Sequence, residues 1–189
     1  MRANFIRHIF PKTIDNNYRG NAISLILFIP ITVVTVARSL IHIYAEDGGA
    51  QSIATIPLDS YSSEAAQAVI TLMALWGLSQ ILLAVIYLIT IFRYKSLIPL
   101  MYLLIVIEYL GRHFIIIFNP IETLGTAPGV TVNLIMAPIA LILMLLAIPK
   151  KAPDGDINFK IILDYLKFIV CYFLILVWRV GRKNDFERN

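Results

Sequence analysis

The sequence has little cysteine and little charge. Its 189 residues include a single cysteine, Cys171, which excludes an internal disulfide, a CxxC redox pair and a cysteine-ligated metal cluster. Only 15% of the residues are charged, whereas 59% are hydrophobic and the mean hydropathy is +0.79. A soluble domain is about one-quarter charged and about half apolar. The composition is therefore typical of a polytopic membrane protein.

Motifs for catalysis and metal binding are also scarce. His8, His42 and His113 fall on different segments, without the HExxH or HxxxH spacing of a metal site. The sequence contains no glycine-rich phosphate loop, no nucleophile elbow and no pair of acids in a catalytic pattern. We therefore favour a non-catalytic protein, with an enzyme as the alternative, and identify no metal site and no nucleic-acid partner. The cofactor is left unknown, and a haem held by His42 and His113, which lie at comparable depth, is kept only as a minor alternative.

Long apolar runs are what the sequence has in abundance, and a membrane-spanning helix needs about 20 such residues. We predict an all-α, polytopic membrane helix bundle of three parts: a basic tail at 1–21, a four-helix transmembrane bundle at 22–148, and a basic C-terminal segment at 149–189. The four predicted spans cover residues 22–44, 66–92, 97–118 and 130–148.

The C-terminal segment contains one further apolar helix, at residues 157–178. Lys160, Asp164 and Lys167 fall at helical spacing on one face, so the helix begins as an amphipathic one. It ends in eleven apolar residues, "FIVCYFLILVW", which would suit a fifth span. We favour an interfacial or re-entrant helix, because a fifth span would place four basic residues on the outer side. Both alternatives remain open.

Basic residues are distributed unevenly between the predicted loops. The loops at 45–65 and 119–129 contain no lysine or arginine, whereas the N-terminal tail, the "RYKS" turn and the C-terminal segment are basic. Cytoplasmic loops of membrane proteins carry the excess of lysine and arginine. We therefore predict a cytoplasmic N-terminus, with both acidic loops outside, in what we expect to be a bacterial inner membrane.

Polar residues recur within the apolar spans, most visibly in "IVIEYLGRHF" at 105–114. A rise of about 1.5 Å per residue places the deepest polar residue of each span in one layer, in the outer half of the membrane. Glu108 and Arg112 are four residues apart on one helix and can form an ion pair. The predicted polar cluster consists of Arg38, Gln80, Glu108, Arg112, His113 and Asn133.

Three roles are open for this cluster. Buried polar side chains can join transmembrane helices through hydrogen bonds, which would make the cluster structural. Alternatively, it forms a pocket for a small amphipathic ligand, such as a lipid headgroup or a quinone-like molecule. A proton or ion path through Glu108 is the third role, although one acid and few hydroxyls make a poor relay.

The stretch "LWGLSQILLAVIYLITIFRYKSLIPLMYLLIVIEYLGRH", residues 75–113, resembles the second and third spans of small DoxX-like four-helix membrane proteins. The resemblance implies a four-helix bundle that sometimes serves as an accessory subunit of a membrane redox complex. It also marks Arg112 as a candidate polar-site residue. Together with the uncharged second and fourth spans, it leads us to expect an accessory or assembly subunit. Its partners would be the lipid bilayer and either another membrane protein or a second copy, through spans two and four.

Overall fold

The part of the chain from Ala22 to Ala147 contains four long helices. The computed structural model describes residues 8–149, together with the backbone of two short antiparallel strands, Lys151–Ala152 and Gly155–Asp156. The chain divides after Pro149 into two units, and the strands belong to the second. The predicted helix at 157–178 lies outside the described residues. The four helices are α1, Ala22–Tyr44; α2, Ser63–Arg93; α3, Ile98–Phe118; and α4, Pro128–Ala147.

Residues at the helix starts explain where each helix begins. The Asn21 side chain accepts a hydrogen bond from the backbone of Ile23, and the Ser62 side chain caps α2 in the same manner. α3 and α4 have proline in their first turn, where the missing N–H costs nothing. Each helix is long and apolar enough to cross a membrane. The prediction of an all-α bundle with four spans is therefore confirmed.

α1 and α2 pack closely along a seam of small and hydroxyl-bearing residues. On α1 the Thr32, Thr35 and Ser39 hydroxyls donate to carbonyls one turn earlier, which satisfies them inside the bundle. On α2 the seam includes Gly77, where an added Cβ would lie 2.9 Å from the His42 Cβ. Small residues at this seam let the two backbones approach each other.

α3 and α4 form the second tightly packed pair. Contacts between α1 and α4 join the two pairs, whereas α2 and α3 make few contacts with each other. Phe28 of α1 lies fully buried between Tyr87 and Tyr102, with ring centroids 5.3 Å from each. The Tyr102 hydroxyl donates to the Ser24 carbonyl at 2.6 Å. The half of the bundle around Phe28 is thus a closed aromatic core.

The two acidic loops lie together at one end of the bundle, which we call the acidic end. The Thr55 hydroxyl donates to the Gly125 carbonyl, and the Leu124 N–H donates to the Thr55 carbonyl, each at 2.9 Å. Ala50, Ile56 and Leu58 are buried against the start of α2. The loop at 45–62 is therefore a folded cap with its own small apolar core.

The opposite end, which we call the basic end, is held by the N-terminal segment. Asp15 exchanges hydrogen bonds with Ser96 in the turn between α2 and α3. The Asn21 N–H donates to the Leu146 carbonyl at 2.9 Å. Gly20 lies so close to the Ala147 carbonyl that an added Cβ would clash with its oxygen. These contacts bring the starts of α1 and α3 level with the ends of α2 and α4.

Candidate functional site

Trp76 of α2 is the centre of the polar layer. The Arg38 and Arg112 guanidinium carbons lie 5.5 Å and 4.9 Å from the centroid of its ring, within the range of a cation–π interaction. The His42 ring packs on the same indole with a centroid distance of 4.5 Å. One tryptophan therefore connects α1, α2 and α3. We use the name Trp76 cluster for Arg38, His42, Trp76, Gln80, Glu108 and Arg112.

Arg38 of α1 is held by α2. Its Nη2 donates to the Gln80 side-chain oxygen at 2.8 Å. Its Nε is buried and lacks a hydrogen-bond partner within the described residues. Within residues 8–149 no carboxylate lies at ion-pair distance from Arg38. Arg38 is therefore fixed in place by a neutral amide and an indole, and no carboxylate of residues 8–149 compensates its charge.

Arg112 of α3 has a charged partner on its own helix. It forms an ion pair with Glu108 one turn earlier, as their spacing predicts. The side chains of Arg112 and Glu108 are 17% and 21% exposed, so the pair is not sealed inside the bundle. The Tyr109 ring also lies 5.5 Å from the Arg112 guanidinium carbon. α3 therefore presents a partly accessible ion pair towards Trp76.

His42 connects the cluster to the folded cap. Its Nδ1 lies 2.7 Å from the Gly48 carbonyl oxygen. Gly48 and Gly49 have φ angles of +59° and +72°, a left-handed conformation that glycine adopts without strain. An added Cβ at Gly49 would lie 3.3 Å from the same His42 nitrogen. The two glycines thus let the cap backbone turn directly over the cluster.

Asp47 stabilises this turn from the solvent side. Its carboxylate accepts hydrogen bonds from the backbone N–H groups of Gly49, Gln51 and Ser52. Partial burial raises the pKa of Asp47, but the three amide donors outweigh it and hold the pKa below the usual value. The charged form is therefore the one that supports the turn.

The Trp76 cluster contains more positive than negative charge. Arg38 and Arg112 lie close enough for their charges to repel, and Glu108 is the only acidic member. An arginine at the centre of a membrane helix costs about 2.5–3.5 kcal/mol on insertion scales. Nearer the basic end on α2, the buried Tyr87 hydroxyl also lacks a hydrogen-bond partner among the described residues. The arrangement is chemically suited to holding an anion or a hydrogen-bond acceptor.

Four of the six predicted cluster residues come together, namely Arg38, Gln80, Glu108 and Arg112. Asn133 is buried on α4, but among the described residues no hydrogen bond joins it to these four. His113 is half-buried on α3, and its ring meets Phe114 edge-on at a centroid distance of 6.2 Å.

Trp76 and His42 are members that the prediction left out of the cluster. A signal was present in the spacing, because Trp76 precedes Gln80 by four residues and His42 follows Arg38 by four. Residues four apart share a helix face. A search one helical turn before and after each predicted polar residue would have found both.

The fold and the cluster define an integral membrane protein, a four-helix bundle with a charged cluster inside it. Within the described residues, no group of three or more His, Cys, Asp or Glu side chains is arranged to hold a metal ion. Comparison with protein-family models, with curated proteins and with solved structures found no match. The functional argument therefore depends on the residues themselves.

Proposed function

We propose that the protein is a non-catalytic accessory or assembly subunit that binds a transmembrane helix of a partner protein through α2. The observation that supports this is the coverage of the helices. In its most apolar stretch α2 has 17% of residues buried, against 39% in α4. At 31 residues α2 is also the longest helix, about 46 Å at 1.5 Å per residue. Among the four described spans, the longest is thus the one with the smallest buried share.

The outward face of α2 contains a stripe of small and hydroxyl-bearing residues in the half nearer the acidic end. Ala68, Thr71 and Ser79 are all exposed there, on either side of the exposed Leu75. The two hydroxyls donate to carbonyls of their own helix, so they remain satisfied when another helix approaches. Small and hydroxyl-bearing residues are typical of helix–helix contacts in membranes. The same residue types form the buried seam between α1 and α2.

Ser79→Trp tests this surface by placing a bulky ring on the stripe. Ile86→Trp is the matched control, because Ile86 is 48% exposed on the same face but nearer the basic end. We expect Ser79→Trp to lower the mass of the complex extracted from native membranes in mild detergent, and Ile86→Trp to leave it unchanged. An unchanged mass in both variants would contradict the proposal. A complex containing two copies of this chain would show that the partner is the protein itself.

The predicted partner surface included span four as well as span two. Exposed residues of α4, such as Ile135, Ile139 and Ile142, give it an apolar outer face. α4 is more covered by its own bundle, so we assign the main contact to α2. The resemblance of residues 75–113 to DoxX-like proteins, some of them accessory subunits, supports the same class of function.

We further propose that the basic end faces the cytoplasm of a bacterium and that the acidic end faces outward. The support is the charge pattern, with Arg93 and Lys95 at one end and no lysine or arginine in residues 45–62 or 119–127 at the other. A cysteine introduced at Ser52 in a Cys171→Ser background should react with an impermeant maleimide added to intact cells. A cysteine at Ser96 should react only after lysis, and the opposite pattern would reverse the assignment.

A ligand-binding role at the Trp76 cluster is the second candidate function. It is favoured by one specific observation, the positive charge of Arg38 that no carboxylate in the described chain balances. In a purely structural cluster, paired charges would serve better, because an unpaired cation in the membrane is costly. A ligand that supplies an acceptor or a negative charge would satisfy Arg38 and leave the Glu108–Arg112 pair intact.

A further inference from the structure

The Trp76 cluster contains a hydrogen-bond donor that has no acceptor among the described residues. The Arg112 Nη2 donates to Glu108, and the Arg38 Nη2 donates to Gln80. The buried Arg38 Nε has no acceptor among the described residues, and leaving such a donor unpaired is unfavourable. The observed position of Arg38 is therefore under-satisfied. A guanidinium presents paired donors that match the oxygens of a phosphate or carboxylate.

Charge balance indicates an anion. The cluster holds two guanidiniums and one carboxylate, and the carboxylate is already paired with Arg112. One further negative charge near Arg38 would neutralise the cluster and remove the repulsion between the two arginines. A neutral ligand would satisfy a donor but would leave the net charge unchanged. The chemistry that fits is therefore an oxyanion.

The fold favours delivery from the membrane over delivery from water. The acidic end carries Glu46, Asp47, Asp59 and Glu122, and its loops at 45–62 and 119–127 contain no basic residue. This charge repels free anions that approach from solvent. The folded cap also lies over the cluster, through the contact between His42 and Gly48.

We place the entry of such a ligand between α2 and α3, because these two helices follow each other in the chain but make few contacts. At the level of the cluster the Arg112 side chain of α3 reaches α2, with its guanidinium carbon 4.9 Å from the centroid of the Trp76 ring. Large apolar side chains are exposed on both helices beside it. They are Leu72, Ile107 and Ile115. Such surfaces suit the acyl chains of a lipid whose headgroup reaches the arginines.

We infer that the Trp76 cluster is a lateral binding site for the anionic, phosphate-bearing headgroup of a membrane lipid, held between Arg38 and Arg112. This inference rests on the second candidate function and specifies its ligand. Arg38 supplies the positive charge that no carboxylate of the described residues balances. Trp76 positions both guanidiniums. Glu108 competes with the headgroup for Arg112, so that Arg112 without Arg38 is not enough to bind it.

Fluorescence of Trp76 tests the site directly. The chain has two tryptophans, so Trp178→Phe leaves Trp76 as the single reporter. The full-length protein in detergent is titrated with short-chain phosphatidylglycerol, short-chain phosphatidylcholine or inorganic phosphate. We expect the emission change to reach its midpoint at a phosphatidylglycerol concentration at least tenfold lower than the phosphatidylcholine concentration that is needed. Inorganic phosphate at the same concentrations should neither change the emission nor displace the lipid. Displacement by phosphate would identify a free-anion site and overturn the lipid assignment.

Two substitutions with opposite expected effects keep the test independent of folding. Arg38→Gln should weaken phosphatidylglycerol binding at least tenfold, whereas Arg93→Gln, which removes an exposed arginine at the basic end, should leave it unchanged. Glu108→Gln removes the competing carboxylate and should strengthen binding several-fold. A Glu108→Gln variant that binds more weakly, or an Arg38→Gln variant that melts normally and binds like the parent, would overturn the inference.

A fourth titration, with a neutral short-chain quinone, separates failure of this inference from failure of the candidate function behind it. Tight binding of a neutral short-chain quinone, unaffected by Arg38→Gln, would retain a ligand-binding role and refute the anionic headgroup. If phosphatidylglycerol, phosphatidylcholine and quinone all leave the Trp76 emission unchanged, both the ligand-binding role and the headgroup assignment are refuted.

Discussion

The two halves of the bundle interior surround an aromatic ring in opposite ways. Near the basic end, Phe28 is completely buried between Tyr87 and Tyr102. Near the acidic end, Trp76 is only partly buried and is surrounded by Arg38 and Arg112. The first half is closed by apolar and aromatic packing. The second half depends on charged side chains that remain partly accessible.

This difference indicates that the two halves of the bundle have different roles. A ring packed by other rings gains from burial and from favourable edge-on geometry. A ring packed by cations gains less, because the cations must lose part of their hydration. We therefore expect the Phe28 half to contribute more to the free energy of unfolding. We expect the side chains of the Trp76 half to change position more easily. The predictions below test this contrast, from the largest expected effect to the smallest.

Phe28→Ala should have the largest effect on stability. It removes a fully buried ring that contacts α2 and α3, and such truncations cost about 3–5 kcal/mol. The free energy of unfolding can be measured by titration with a denaturing detergent in mixed micelles. Leu82→Ala is the control, because Leu82 is 59% exposed on the outward face of α2. Equal losses for the two variants would refute the idea of a closed core around Phe28.

Gly77→Ala should perturb the Trp76 half specifically. The new Cβ would lie 2.9 Å from the His42 Cβ and 3.0 Å from the Ser39 carbonyl oxygen, which must separate α1 from α2. Overpacking of this kind costs about 1–3 kcal/mol. We expect a lower unfolding free energy together with a shift in Trp76 emission in the Trp178→Phe background.

Gly111→Ala is the matched control for that substitution. Gly111 also lies inside a helix beside the cluster, but a Cβ there would meet nothing within 4 Å. Replacing glycine in a helix interior by alanine is favourable by about 0.5–1 kcal/mol. If Gly111→Ala destabilised the protein as much as Gly77→Ala, the close approach of α1 and α2 at Gly77 would not explain the loss.

Acidification should loosen the cap over the Trp76 cluster, the smallest and most local effect. The pKa of Asp47 is lowered in the folded chain, so its contribution is fully present above the unfolded pKa of about 3.9. That contribution is lost as the pH falls through the folded pKa. Hydrogen exchange should show reduced protection of the Gly49, Gln51 and Ser52 amides below about pH 4.

Asp47→Ala should remove this pH dependence and leave the same amides weakly protected at neutral pH. Glu46→Gln serves as the control, because Glu46 is exposed beside it and should leave both protection and pH dependence unchanged. Protection that persists at neutral pH in Asp47→Ala would show that the glycine turn holds itself without the carboxylate.

Much of the fold could be predicted from the sequence. The four spans lie within a few residues of the predicted bounds, because the length of an apolar run and its caps are local properties. The Glu108–Arg112 pair was also predictable, since both residues lie on one helix at a spacing of four. The common depth of Arg38 and Gln80 followed from counting residues along two helices.

The positions of the other residues around the helix axes depended on the tertiary structure. Depth alone placed Asn133 level with Arg38, but α4 packs mainly against α3, and no hydrogen bond joins Asn133 to the described members of the cluster. Trp76 became central because Gly77 lets α1 approach α2 closely enough for Arg38 and His42 to reach the indole.

The sequence by itself therefore determined a membrane bundle of four spans, the asymmetry of its loop charges and one ion pair within a helix. These follow from hydrophobicity and spacing along the chain. Tertiary structure alone decided that two arginines from different helices share Trp76 and that the cap at 45–62 folds over them. These contacts depend on the rotation and separation of packed helices, which residue spacing within one helix does not encode.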